Sequence, residues 1–164
     1  MIDAIDRLTD FIGRLVAKLA GVMVLTTCVV VALRYGFDTG AIALQESVIY
    51  MHGMLFLFGL SYTLKHDGHV RVDVLYSRMT EKRRAWVNLI GHLIFMVPLT
   101  LTIGIVSVRY AVNAWAILEG SPEVGGIQAV FLLKTLLPVS AALLLLQTIA
   151  EMTKALSVLR KQHA

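Results

Sequence analysis

The sequence predicts an all-α integral membrane protein with four transmembrane helices. Of its 164 residues, 57% are hydrophobic and 16% are charged, whereas a soluble domain carries about 25% charged residues. The apolar residues cluster in four runs of about 18–23 residues, close to the ~20 that a helix needs to cross the hydrocarbon core. The runs are residues 15–33, 47–64, 86–108 and 130–149. Together they fill residues 1–164 as a single membrane domain and leave no room for a soluble one.

The segment before the first span predicts an interfacial helix. Residues 1–14 place apolar side chains at helical spacing with charged residues between them, as in helices that lie at a membrane surface. Asp3, Asp6 and Asp10 occupy the positions where a cleavable signal peptide would be basic. We therefore expect the first span to stay in the mature protein.

The distribution of basic residues predicts the orientation of the helices. Twelve of the 15 Lys and Arg residues fall on one side of the four predicted spans. Arg34, Arg109 and Lys134 fall on the other side. Because cytoplasmic loops are enriched in Lys and Arg, both termini and the loop of residues 65–85 should face the cytoplasm. This loop contains a short polar and basic amphipathic segment.

The third helix is expected to extend past its apolar run. Residues 109–119 remain compatible with a helix, and the first clear break is Gly120-Ser121-Pro122. A helix from Trp86 to Glu119 would be about 50 Å long. It would therefore tilt or project from the outer face of the membrane.

Ionisable residues in or beside the spans are the first candidates for function, because burying a charge in lipid is costly. Glu46 opens the second span and His52 lies inside it. Glu46 is interpreted either as a helix N-terminal acid stabilised by the helix dipole or as a contact to another polypeptide. A second membrane histidine, His92, raises the possibility of haem. The two histidines differ in predicted depth by roughly 9 Å, which argues against paired axial ligands.

The loop after the second span carries a second candidate cluster, His69, Arg71 and Asp73. One interpretation is that these residues are part of a solvated loop. The second is that they have a specific role, in fixing neighbouring helices or in docking a partner. Their clustering in one short stretch favours the second reading. The chain has one cysteine, Cys28, so no internal disulfide is possible. The sequence contains no catalytic, phosphate-binding or metal-ligand motif, so we expect a protein that is not an enzyme.

Several motifs resemble the small, DctQ-like membrane subunit of tripartite ATP-independent periplasmic (TRAP) transporters. They are Glu46 at the start of span two, Leu57-Phe58-Gly59, His69-Val70-Arg71-Val72-Asp73-Val74-Leu75, Leu136-Leu137-Pro138 and Leu143-Leu144-Leu145-Leu146-Gln147. Leu64 to Asp73 and Glu119-Gly120-Ser121-Pro122 look closest to the branch labelled mannitol/chloroaromatic. The likeness runs from about Leu44 to the end of the chain.

The resemblance implies a scaffold subunit in the bacterial inner membrane. Its partners would be a large multi-span subunit that works as an elevator and a periplasmic protein that binds the solute. Uptake of an organic acid would be driven by sodium, bound in the large subunit and not in this chain, which needs no cofactor. Candidate residues for fixing helices or the subunit interface are Glu46, His52, His69, Arg71 and Asp73. Candidates for docking the binding protein are Asp38, Glu119 and Glu123, and those for lipid headgroups are Arg78, Lys82, Arg83 and Arg84.

Two alternatives come from other functional classes. A membrane anchor for a redox enzyme would show a haem absorbance band. A stand-alone small proton-coupled exporter would transport solute by itself in liposomes, with Glu46 as its titrating group, although Glu46 lies at the outer boundary and not at the midplane.

Overall fold

The computed structural model describes residues 2–69 and 76–161, and this part of the chain forms four long helices. They are α1 (Ile2–Gly36), α2 (Ile42–Lys65), α3 (Glu81–Ala116) and α4 (Val130–Lys161). Each helix is long and apolar enough to cross a membrane, which confirms the predicted fold class. We call the end of the bundle where α1 begins and α4 ends the terminal end. The opposite end, with the connections 37–41 and 117–129, is the loop end.

Helix α1 differs from the prediction, because residues 2–14 do not form a separate interfacial helix. They are the first part of one continuous helix of 35 residues. Thr9, Gly13 and Val16 are buried, and all of them lie in its first half. This half is held by packing against neighbouring helices, so it continues the axis of the span and does not turn along the membrane surface.

Helices α1 and α2 approach each other most closely at Gly13. A Cβ atom on Gly13 would lie 2.1 Å from Cδ2 of Tyr62, so only glycine allows this contact. By contrast, a Cβ on Gly21 would meet nothing within 4 Å. The close contact between α1 and α2 is therefore made at Gly13, whereas Gly21 faces open space.

Helix α2 starts at Ile42, earlier than the apolar run indicated. Glu46 consequently lies in the second turn, and the first turn contains no acidic residue. At its other end α2 is closed by the amides of His66 and Gly68, which donate to the carbonyls of Tyr62 at 3.1 Å and Thr63 at 2.9 Å. Asp67 between them has a φ of 53°, a left-handed conformation that Asp tolerates better than most residues.

Helix α3 contains a π turn at His92–Met96, immediately before Pro98. Proline has no N–H to donate, and its ring clashes with the carbonyl four residues earlier. The wider π turn accommodates this interruption without breaking the helix. Beyond the π turn, α3 continues past Val108 and ends at Ala116. Two residues later, Leu118 adopts a positive φ of 46°.

Helix α4 is the centre of the bundle, because it packs against each of the other three helices. It also carries most of the buried positions, including Ser140, Leu144, Gln147 and Thr148. Among the described helices, α3 packs substantially only against α4, and α2 packs against both α1 and α4. The helices α1 and α3 thus flank the bundle.

The flanking helices leave large apolar surfaces uncovered by this chain. On α1 they include Val22, Val24, Leu25, Val29 and Val31; on α3 they include Ile94, Phe95, Leu99, Ile105 and Val106. In a membrane, these faces meet lipid or another protein.

Candidate functional site

Glu46 joins α2 to the loop between α3 and α4. One carboxylate oxygen, Oε2, accepts a hydrogen bond from the backbone amide of Ile127 at 2.5 Å. The other, Oε1, accepts from the hydroxyl of Ser121. A charged acceptor makes both bonds stronger than neutral ones. Glu46 therefore fixes a helix to the chain's own loop, and it does so from the second turn rather than as a first-turn acid.

Gly126 is required by this arrangement. A Cβ on Gly126 would lie 2.3 Å from Oγ of Ser121 and 2.7 Å from Oε1 of Glu46. The side chain of Ser121 also accepts from the amide of Glu123 at 3.1 Å. Glu46, Ser121, Gly126 and Ile127 form a compact unit, which we call the Glu46 latch.

A second set of contacts pins the same loop to the helices. Lys134 on α4 forms an ion pair with Glu119 at 2.5 Å and lies 4.1 Å from the ring centre of Tyr110. The indole of Trp115 donates to the hydroxyl of Thr135 at 2.8 Å. Because Glu119 is paired within the chain, its carboxylate is less available to a binding protein than the sequence suggested.

The remaining docking candidates are exposed at the loop end. Glu123 is exposed, and its neighbour Val124 has 93% of its surface accessible. Asp38 lies between α1 and α2 with a φ of 51°, next to Phe37, which is 75% exposed. The structure thus separates the three acidic candidates into one that pairs with Lys134 and two that face outward.

At the terminal end, a polar network joins α1 to α4. Gln147 is fully buried and accepts from the hydroxyl of Thr9 at 2.7 Å. Its amide donates to Asp6 at 3.0 Å and to Glu151 at 2.8 Å. Lys154 completes the network with ion pairs to Asp6 at 2.9 Å and to Glu151 at 2.7 Å. Every hydrogen-bonding group of the buried amide is used, as burial of a polar group requires.

Helix α2 is tied to the same end of α1. Asp10 forms an ion pair with Lys65 at 2.5 Å and a hydrogen bond with Nε2 of His66 at 3.1 Å. Lys65 also donates to the backbone carbonyl of Asp6 at 3.0 Å. These contacts and the network of Gln147 explain why the first half of α1 is the packed half.

The contacts of this terminal-end network are not predicted from the sequence. In the sequence Gln147 stands out only as the last residue of a family motif, although a polar amide inside an apolar span is itself a signal for a partnered site. The spacing of Asp6, Thr9 and Asp10 places them near one face of a helix. If residues 1–14 formed an interfacial helix, these three side chains would lie at the membrane surface and would not contact α4.

Of the His69 cluster, Arg71 and Asp73 lie outside the described residues. Nε2 of His69 is buried and has no hydrogen-bond partner within the described part of the chain. The basic candidates that follow divide into two groups. Arg84 donates to the carbonyls of Tyr76 at 3.1 Å and Ser77 at 2.7 Å, so it holds the entry to α3.

Arg78 and Arg83 are exposed, and Lys82 is partly buried. The hydroxyl of Thr80 caps α3 by accepting from the amide of Arg83 at 3.4 Å. The exposed pair Arg78 and Arg83 is thus the part of the basic cluster that faces outward.

His52 and His92 line different pockets. His52 borders a cavity between α1 and α2, whereas His92 is buried beside Arg84, Glu151 and Lys154 at the terminal end. The two histidines are thus placed at separate sites of this chain. In residues 2–69 and 76–161, no group of three His, Cys, Asp or Glu side chains is arranged to hold a metal ion.

Comparison with known proteins identifies a family match over most of the chain. The family model described as "Tripartite ATP-independent periplasmic transporters, DctQ component" matches residues 23–158. No curated protein and no solved structure gives a significant match.

Proposed function

This chain belongs to the DctQ family, the small component of tripartite ATP-independent periplasmic transporters, and we propose that it is the scaffold that supports the large subunit. It is a multi-pass protein of the inner membrane and a transporter component rather than an enzyme. The family works with a large subunit and a periplasmic binding protein. We propose that this complex takes up an organic acid with sodium, and that sodium binds in the large subunit.

The use of the polar side chains supports the scaffold role. The Glu46 latch and the terminal-end network join the chain to itself at both ends of the bundle. A pocket of about 420 Å³ between α1 and α2 is lined mainly by apolar side chains. The polar contacts hold the four helices together at both ends of the bundle, and the apolar faces of α1 and α3 stay exposed for contact with another protein. Such a chain is suited to be a rigid support for a subunit that moves.

We propose that the terminal end faces the cytoplasm and the loop end faces the periplasm. Twelve of the 15 Lys and Arg residues would then lie on the cytoplasmic side. Glu123 and Asp38 would face the binding protein, and Arg78 and Arg83 would face anionic headgroups of the inner leaflet.

Co-purification tests this proposal. The tagged chain is co-expressed with the genes that neighbour it and extracted in a mild detergent. We expect a large multi-span protein at equal stoichiometry, and sodium-dependent uptake in liposomes only when both subunits and the binding protein are present. A chain that purifies alone and transports solute by itself would contradict the scaffold role.

A further inference from the structure

The seam between α1 and α2 carries two open cavities, which together we call the α1–α2 groove. Its part toward the loop end has a volume of about 420 Å³ and is lined by Met23, Val24, Thr27, Cys28, Val48, Ile49 and His52. Its part toward the terminal end has about 210 Å³ and includes Ala17, Leu55 and Gly59. On α2, Val48, His52, Leu55 and Gly59 recur at spacings of three and four, so they share one helix face.

Small residues keep part of the groove open. A Cβ on Gly59 would meet nothing within 4 Å. The same holds for Gly21, which lies between Ala17 and Val24 on the corresponding face of α1. Small residues at such a surface allow another helix to approach closely.

His52 is the polar group that the groove leaves unsatisfied. It lies six residues after Glu46, hence about 9 Å further along the helix and inside the hydrocarbon core. Its ring is exposed and stacks on Phe56 with a centroid distance of 6.3 Å. In the described part of the chain, no group forms a hydrogen bond with it. Nor does the neighbouring Thr27 offer its proton, because its hydroxyl donates to the carbonyl of Met23 at 2.8 Å.

A lipid chain in the groove would leave the imidazole without a partner. Water is absent from the hydrocarbon core, so an unpaired N–H or ring nitrogen there is unfavourable. A protein helix fills an apolar groove equally well and also brings a hydrogen-bonding side chain. The position of His52 thus favours a protein occupant.

We propose that the α1–α2 groove receives one transmembrane helix of the large subunit, and that a polar side chain on this helix hydrogen-bonds to His52. This inference rests on the proposed function, because that function supplies the large partner. The incoming helix carries Ser, Thr, Asn, Gln, Asp or Glu at the depth of His52. It presents apolar residues to Val24 and Val48, and a small or flat surface to Gly59.

Cys28 provides a reporter within the groove, since it is exposed there and is the chain's only cysteine. A small, membrane-permeant maleimide is reacted with the isolated chain and with the complex, and the modified mass of this chain is measured. We expect Cys28 to react in the isolated chain and to be protected in the complex. A matched control carries Cys28→Ala together with Ile105→Cys on the exposed face of α3, and it should react in both samples.

Substitutions at His52 test the hydrogen bond. His52→Leu should weaken binding of the large subunit about three- to tenfold, as expected for one interhelical hydrogen bond in a membrane. His52→Gln keeps a donor and an acceptor and should restore binding. The isolated His52→Leu chain should be at least as thermostable as the wild type, whereas a residue needed only for the fold would lower that stability.

The outcomes separate this inference from the proposed function. If no large subunit co-purifies with the wild-type chain, the scaffold role itself is wrong. If the complex forms but Cys28 reacts as fast as in the isolated chain, another surface is the interface and the groove assignment is overturned. Protection of Cys28 in the isolated chain, with crosslinked pairs of this chain on oxidation, would assign the groove to a second copy and also overturn it.

Discussion

The carboxylate of Glu46 on α2 and the backbone amide of Ile127 meet at 2.5 Å, although 81 positions separate them in the sequence. This bond crosses the loop end of the bundle and ties the second helix to the connection between the third and fourth. This charge-assisted contact means that Glu46 fixes the position of the loop between α3 and α4.

Replacing Glu46 should loosen that loop. Glu46→Ala leaves the amide of Ile127 and the hydroxyl of Ser121 without their acceptor, which should reduce the stability by about 1–3 kcal/mol. Thermal unfolding in detergent and limited proteolysis of residues 117–129 measure the effect. Glu123→Ala, at an exposed acid two residues beyond Ser121, should change neither quantity; equal effects of the two variants would contradict the latch.

Gly126→Ala should destabilise the latch by steric conflict. Its Cβ would approach Oγ of Ser121 to 2.3 Å, so the loop must shift. Ser121→Gly removes both this atom and the Cβ of Ser121, which would lie at 2.6 Å, and the double variant should therefore lose less stability than the sum of the two single variants. Gly36→Ala is the control, because a Cβ there meets nothing within 4 Å. Strict additivity in the double variant would show that the conflict lies elsewhere.

Gln147→Leu should separate the terminal halves of α1 and α4. Leucine has a similar size but cannot bond to Thr9, Asp6 or Glu151, so buried polar groups lose their partner at a cost of about 1–3 kcal/mol. Thermal unfolding of the purified chain is the measurement. Gln128→Leu, at an exposed loop position, should be nearly neutral, and a neutral Gln147→Leu would mean that the network adds little to stability.

The two arginines that open α3 should behave differently. Arg84→Gln removes the bonds to the carbonyls of Tyr76 and Ser77 and should lower the unfolding temperature. Arg83→Gln should leave this temperature unchanged and reduce the number of anionic lipids retained in native mass spectrometry, because the exposed side chain contributes about 1 kcal/mol of attraction to an anionic surface. The reverse pattern would exchange their assigned roles.

The outward acidic residues should affect association with the binding protein. Glu123→Lys should slow this association most at low ionic strength, as rim charges act mainly on the association rate. Glu119→Gln should instead act on stability, because Glu119 pairs with Lys134. Surface plasmon resonance at two salt concentrations checks the first expectation. An association rate for Glu123→Lys equal to that of the wild type would remove the loop tip from the docking surface.

The helices were predictable because hydropathy and length alone determine which segments cross a membrane. The partners of Glu46 were not, since a hydrogen bond to a backbone amide leaves no mark on Ile127 in the sequence. The role of Gln147 became evident only once α1 was seen as one continuous helix that brings Thr9 and Asp6 to α4. His52 was chosen for its charge chemistry at membrane depth, and its exposure in the α1–α2 groove depended on how those two helices cross.

The spacing between the buried residues of α3 changes at the π turn. Ala85 and His92 are seven positions apart, and so are Thr100, Ser107 and Ala114 in the second part of the helix. The step from His92 to Thr100 is eight. These five buried residues of α3 thus keep a seven-residue spacing on either side of the π turn, with one extra residue between the two parts. The π turn accommodates this extra residue, so that both parts face α4.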